Sequence, residues 1–424
     1  MNEVLNFYLE NGLQVLLHKI PNIKMIATGI WIKQGSKNEN DEMNGISHYT
    51  EHMAFNRNNS NNKDIERNFQ SLNDFGVTYN ATTTKEYTYY HFKGLKESLD
   101  ICLKTIKSIV VNNTKFDKEI FLNERKVILQ EARSYYASFN QIVECINQAI
   151  YGNYSVGRNI LGSLDNISNI KLEDVEKIVS NTYTPENAVL ILIGDIDYDK
   201  SIKLIEDIFE DWEDTPTFKI NENIIDTPGI YYKKTPNTSN SVLSLGFKVK
   251  NGNIEDILIS EMLIKILADP IMSQRITQKI RQEKGIAYNV GGFVTEYEDF
   301  STLAISVVCK HEDVEEATGI IVEEINHLLG EGINDEEFNR AKMSLITEKN
   351  LDFNDLSKKL IYFGKYASYN QLYFLENTIR KIKKIQLDDV VKKSKNILRY
   401  NNLGLAIIGD TNMDIVIENL EKIS

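Results

Sequence analysis

The 424-residue chain is 42% hydrophobic and 26% charged, with a net charge of −13. That length supports two or three domains, and the acidic balance disfavours nucleic acid and anionic membrane surfaces as partners. No apolar run approaches the ~20 residues of a membrane span, Met1-Asn-Glu-Val-Leu-Asn6 lacks the basic and apolar regions of a secretory signal, and Cys102, Cys145 and Cys309 show no pairing or metal spacing, so a cytoplasmic protein is expected.

Along the chain, Gln14-Val-Leu-Leu-His18 and residues 25–33 read as strands. His48-Tyr-Thr-Glu-His52 follows. Two histidines four apart stand one turn apart on one helix face, so both imidazoles reach one metal ion. Glu51 sits beside them, where a carboxylate can take a proton from water. This is the zinc-protease pattern HExxH in inverted order. The alternative is a helix that happens to carry two histidines. Residues 96–111 then read as an amphipathic helix.

A catalytic zinc takes three protein ligands and keeps a fourth position open. Phe121-Leu-Asn-Glu-Arg-Lys-Val-Ile-Leu-Gln-Glu-Ala-Arg133 is free of Gly and Pro, and Val127, Ile128 and Leu129 supply an apolar stripe expected to bury it. Its Glu124 and Glu131 lie seven residues apart, two turns along one face. Spacing alone does not separate a ligand helix from an ordinary solvated acidic face.

With these residues the chain resembles the pitrilysin/insulinase family, in its half-length branch with the mitochondrial processing peptidase subunits. Three further segments carry the likeness: Gly45-Ile-Ser-His-Tyr-Thr-Glu-His-Met-Ala-Phe55, the strand-like Gly76-Val-Thr-Tyr-Asn-Ala-Thr-Thr-Thr-Lys-Glu-Tyr-Thr-Tyr-Tyr90, and Gly157-Arg-Asn-Ile-Leu-Gly162. The resemblance implies His48, His52 and Glu131 as zinc ligands, Glu51 as general base and Glu124 as a supporting carboxylate. It also implies that Asn80 and Ala81 lie on the sheet edge that receives peptide as an added strand. For Asn80 the alternative is a turn residue.

The chain then repeats itself. Ile170-Lys-Leu-Glu-Asp-Val175 returns as Ile385-Gln-Leu-Asp-Asp-Val390, and Ala188-Val-Leu-Ile-Leu-Ile-Gly-Asp195 as Leu403-Gly-Leu-Ala-Ile-Ile-Gly-Asp410, each 215 positions on. Arg125 and Arg340 share that offset. Repeats this long are whole domains. We expect one over residues 1–215 and a second over 229–424, divided near 212–228 where Pro216 and Pro228 lie among polar residues. Strands at 188–193 and 242–249 and a helix over 314–329 complete an α+β pattern of helices layered on a sheet. The same shift carries His48, His52 and Glu131 to Leu263, Leu267 and Ile346, so the second copy has lost the metal residues.

That second half holds Ser273-Gln-Arg-Ile-Thr-Gln-Lys-Ile-Arg-Gln-Glu-Lys-Gly-Ile-Ala-Tyr288. It resembles the family segment whose Arg and Tyr, seven apart, contact substrate, which implies that role for Arg281 and Tyr288. Both are suitable donors to a developing oxyanion. The alternative is a basic helix end with a packed tyrosine. Full-length relatives join four such domains in a clamshell, so two domains make half of one. The resemblance then implies a homodimer, or a heterodimer with a related subunit, in which one chain's Arg281 and Tyr288 serve its partner's zinc. The substrates implied are peptides or unstructured leader and targeting segments. A non-catalytic or partner-dependent peptide-binding subunit is the alternative, and intact ligands count against it.

Overall fold

Eleven strands are described, in two sheets built on one plan. The computed structural model describes residues 4–56, 58, 63–111, 114–152, 154–213, 229–235, 237–269 and 274–423. The expected division around Pro216 and Pro228, and Ser273 of the Arg/Tyr segment, lie outside them.

The first sheet has six strands in the order β1-β2-β6-β3-β5-β4, with β1 Val4–Tyr8, β2 Gln14–Lys19, β3 Met25–Ile32, β4 Thr78–Thr83, β5 Thr88–Leu95 and β6 Ala188–Gly194. Strand β6 pairs parallel with β2 and antiparallel with β3. It is buried at every residue, as its unbroken run of aliphatic side chains dictates for a strand covered on both faces. The second sheet has the order β7-β11-β8-β10-β9, with β7 Ile230–Lys234, β8 Asn240–Lys250, β9 Asn289–Glu296, β10 Phe300–Lys310 and β11 Leu403–Gly409. Its β11 is likewise parallel to β7 and antiparallel to β8. Strands β6 and β11 begin at Ala188 and Leu403 and end at Gly194 and Gly409, the sequence offset at both ends. The α+β class expected from the repeat is what the chain adopts.

The segment over residues 76–90, expected as one strand, is a strand, a turn and the start of another. Strands β4 and β5 are antiparallel neighbours. The chain reverses because Thr84 accepts hydrogen bonds at Oγ1 from the Glu86 and Tyr87 amides, at 3.2 and 3.1 Å, while its own N–H reaches the Tyr87 carbonyl at 2.9 Å. A threonine hydroxyl that satisfies backbone donors in this way competes with strand pairing. Strand β4 is thereby left as the terminal strand of its sheet.

Eight helices bear on the site and on its counterpart in the second copy: α1 Ile46–Phe55, α2 Lys118–Tyr136, α3 Ile142–Tyr151, α4 Leu172–Thr182, α5 Ile254–Leu267, α6 Asp335–Asn354, α7 Leu356–Ser368 and α8 Leu387–Ile397. Compactness does not cut the chain once. The described residues within 1–134, 159–222 and 352–373 form one unit, and those within 135–158, 223–351 and 374–423 the other. The two copies exchange a helix. Helix α3 packs on β8 and β11, where Ile142, Cys145, Ile146, Ile150 and Tyr151 share a core with Val242, Ala406 and Ile408. Helix α7 packs on the corresponding strands of the first sheet, β3 and β6. Gly364 of α7 lies directly against the Trp31 ring, and a Cβ there would fall 2.0 Å from a ring carbon. The expectation for α2 needs a correction: Ile128 is fully buried, but Val127 is 52% exposed. It sits between Glu124 and Glu131 in the helical period and therefore shares their open face.

Candidate metal centre

The start of α1 is fixed by a buried carboxylate. Glu39 accepts from the backbone N–H groups of Gly45 and Ser47 at 2.8 and 2.7 Å and from Asn44 Nδ2 at 3.0 Å. It thereby satisfies donors that a helix N-terminus leaves unpaired. Gly45 enters the helix at φ +97°, and a Cβ would stand 2.4 Å from the Leu161 carbonyl oxygen. Gly162 is as tight, 2.1 Å from the Asn44 carbonyl oxygen. Leu161 and Gly162 therefore act as a seat for the start of α1. Tyr49 ties α1 to α2, donating to the Phe121 carbonyl at 2.6 Å and stacking on its ring.

On that frame His48, His52 and Glu131 each direct one donor atom to a common place, all within 4.8 Å of one another. His48 Nε2 lies 3.8 Å and His52 Nε2 3.4 Å from the Glu131 carboxylate. A tetrahedral metal ion with N and O ligands about 2.0–2.2 Å away spaces them about 3.3–3.6 Å apart, so the donor set fits a small cation. His52 Nδ1 faces Glu124 Oε2 at 3.1 Å, and Asn56 donates to the other Glu124 oxygen at 2.7 Å. A carboxylate behind a histidine fixes which ring nitrogen faces forward. His48 has no such support among the described residues: its Nδ1 is buried with no hydrogen-bond partner among them.

The electrostatics fit a cation. Burial, with His52 alongside, pushes His48 down to about 4, so it is a neutral imidazole at pH 7. Burial also opposes charge on His52, but Glu124 and Glu131 outweigh it and hold that ring up at about 9. The hydrogen bond from His52 in turn holds Glu131 below the usual carboxylate range. Without metal, a proton on His52 supplies the positive charge that the carboxylates demand.

Glu51 lies next to this cluster. Burial raises its pKa, as a carboxylate short of water must. Thr83, the last residue of β4, donates to Glu51 Oε2 at 2.6 Å. Asn80 and Ala81 lie on the same terminal strand, paired through β5 with His91 and Tyr90. Asn80 is exposed and within a strand, which removes the turn alternative.

Arg281 and Tyr288 belong to the other unit and meet each other there. The guanidinium stacks over the tyrosine ring at 4.5 Å. Tyr288 is 77% exposed and not packed on its sheet. Arg281 lies in a π-helical turn, Gln278–Glu283, a feature frequent at functional sites.

Sequence reasoning missed Glu39, Thr83 and the pairing of Gly45 with Gly162. Both glycines stand in segments that carry the family likeness, but nothing in the sequence says that they meet. Glu39 and Thr83 had no signal, since their partners come through folding.

Comparison with known proteins gives two adjoining matches. Residues 14–164 match the model described as insulinase, peptidase family M16, and residues 169–345 match the peptidase M16 inactive domain. The second model thus covers Leu263 and Leu267. An "uncharacterized zinc protease" of Rickettsia felis is 29% identical over 412 residues, spanning 96% of this chain and 97% of that protein. One of Bacillus subtilis is 29% identical over 363 residues, 84% of this chain and 86% of that protein. Among solved structures, a protease from Helicobacter pylori superimposes with a TM-score of 0.84 at 21% identity, over 96% of this chain and all of that one. A peptidase M16 inactive domain from Pseudomonas fluorescens gives 0.87 at 17% identity, over 97% and 98%. At those identities the superpositions speak for the fold.

Proposed function

This chain belongs to the insulinase family of peptidases, family M16, and on that premise we propose that it is a zinc-dependent endopeptidase acting on peptides or unstructured leader segments. The observation that carries the reading is the convergence of His48, His52 and Glu131 within 4.8 Å. Glu51 stands beside them, and Glu124 backs His52.

His48, His52 and Glu131 would hold zinc, as the names of the relatives suggest. When bound, zinc polarises a scissile carbonyl and acidifies water. Glu51 accepts a proton from the attacking water and returns it to the leaving amine. One of its oxygens is held by Thr83, which leaves the other for water. Substrate adds as a strand along β4, past Asn80 and Ala81, through main-chain hydrogen bonds. Arg281 and Tyr288 supply donors to the developing oxyanion of a partner chain's substrate. That role requires a dimer, a homodimer since both elements sit in one chain, closing as two halves of a clamshell around a chamber. A cytoplasmic location goes with this reading. It is supported by three buried free cysteines.

The test is zinc content and cleavage of a panel of unstructured peptides, wild type beside Glu51→Gln. Zinc in both proteins with cleavage in the wild type alone supports the reading. Zinc without cleavage in the wild type favours the peptide-binding subunit, which needs a related active partner. A protein that takes up no metal overturns the ligand assignment.

A further inference from the structure

The Thr83 hydroxyl is buried at the end of the terminal strand, and its strongest contact is to the base. Its Oγ1 lies 2.6 Å from Glu51 Oε2, and its backbone N–H faces the same carboxylate. A hydroxyl has one proton to give, and the neighbourhood fixes where it goes. The other candidate acceptor is Thr88 Oγ1, at 3.4 Å. Thr88 gives its own proton to the Gln34 carbonyl at 2.9 Å. The short contact to a carboxylate wins over a long one between hydroxyls, because charge-assisted hydrogen bonds are about twice as strong as neutral ones.

The contact also joins the base to the sheet, where Thr83 stands opposite Thr88 in the β4–β5 ladder and Thr88 holds Gln34. Gln34 Nε2 donates to Ser47 Oγ at 3.1 Å, and the Ser47 amide donates to Glu39 at 2.7 Å. Ser47 is in the first turn of α1, one turn before Glu51. The base and the start of its own helix are thus both tied to the paired ends of β4 and β5, the helix start through Gln34, just past β3. Glu51 has rotatable side-chain bonds, and among the described residues Thr83 is its one hydrogen-bond partner.

We propose that Thr83 is a positioning residue. Its hydroxyl holds Glu51 in the one rotamer that presents the free oxygen to water, and it links that rotamer to β4, the strand on which substrate is proposed to add. This rests on the peptidase reading. Asn80 and Ala81 are three and two residues before Thr83, so a peptide paired with β4 stiffens the segment that holds the base. Occupancy of the edge is then felt in kcat as well as in KM.

The experiment compares Thr83→Val, which keeps shape and the backbone N–H but removes the hydroxyl, with Thr83→Ser, which keeps the hydroxyl. Each is also made in a Glu51→Gln background, and zinc is measured in all. Expected is a fall in kcat of roughly 10- to 100-fold for Thr83→Val, the scale of a misplaced catalytic group, with KM within about 2-fold and zinc unchanged. Thr83→Ser recovers to within about 3-fold of wild type. In the Glu51→Gln background Thr83→Val has no further effect, as expected of groups acting as a unit. Unchanged kcat in Thr83→Val, or a Thr83→Ser as slow as Thr83→Val, overturns the proposal. Should Thr83→Val not fold, Thr83→Ala carries the same test. If Glu51→Gln cuts as fast as wild type, or nothing cuts, it is the peptidase reading that fails. A crystal structure of zinc-loaded Thr83→Val then decides: Glu51 spread over several rotamers supports the positioning role, and Glu51 unmoved overturns it.

Discussion

The two copies of the fold meet the same packing problem between corresponding helices and solve it differently. In the first, α1 and α2 face each other across His48, His52, Glu124 and Glu131, a polar cluster with surplus negative charge. In the second, α5 carries Leu263 and Leu267 at the histidine positions, both fully buried. There α5 and α6 are joined by ion pairs instead, Lys265 with Glu348 at 2.5 Å and Lys349 with Glu261 at 2.7 Å. Even a shared backbone carbonyl is satisfied by different means. Arg125 of α2 donates to the Ile170 carbonyl, and Lys342 of α6 to that of its counterpart Ile385. The scaffold therefore stands without metal ligands, so the histidines of α1 are there for something other than folding.

The most direct way to break that contrast is to make the first copy like the second. His48→Leu with His52→Leu should fold and abolish zinc uptake, read by metal analysis and circular dichroism. Retention of stoichiometric zinc would place the site elsewhere. A smaller effect is expected from Glu124→Gln, which leaves the ligands and removes the carboxylate behind His52. Zinc affinity should fall about 10- to 100-fold in a chelator competition, the usual cost of losing such support. No change would mean that His52 is oriented without it.

The electrostatics sharpen the comparison further. In the metal-free protein His52 is held at about 9 and so carries a proton at pH 7, whereas zinc binds the neutral ring. Loading at pH 7 should release close to one proton, and apparent affinity should rise with pH until about 9. His48, at about 4, adds nothing to that release. Calorimetry in buffers of different ionisation enthalpy measures it, and zero release would contradict the arrangement. Last, Lys349→Met in the second copy leaves Glu261 without its partner. A loss of roughly 1–3 kcal/mol in unfolding free energy is expected, the cost of a partly buried charged group left unpaired, with zinc content untouched. Loss of zinc in that variant would show that the copies are coupled more tightly than the contrast implies.

Much of this was legible in the sequence because it depends on short-range regularity. The helical period aligns His48 with His52 and Glu124 with Glu131 whatever the rest of the chain does. The offset of 215 residues, seen in Ala188–Asp195 and Leu403–Asp410, foretold two sheets of one topology. The same offset marked the second copy as the one without metal residues.

Tertiary structure decided what depends on partners far apart in the chain. Helices α3 and α7 leave their own copies because each finds its apolar cover on the other sheet, and no local pattern says which of two similar sheets a helix will choose. Val127 reads as core by composition and is exposed, because it stands one turn from Glu131 on a face of α2 that is itself half open to solvent. Glu39 and Thr83 are an acid in a polar run and a threonine in a strand until folding brings one to the start of α1 and the other against Glu51. Periodicity orders residues along one element. Only packing chooses which element they meet, and the chemistry of this site lies at those meetings.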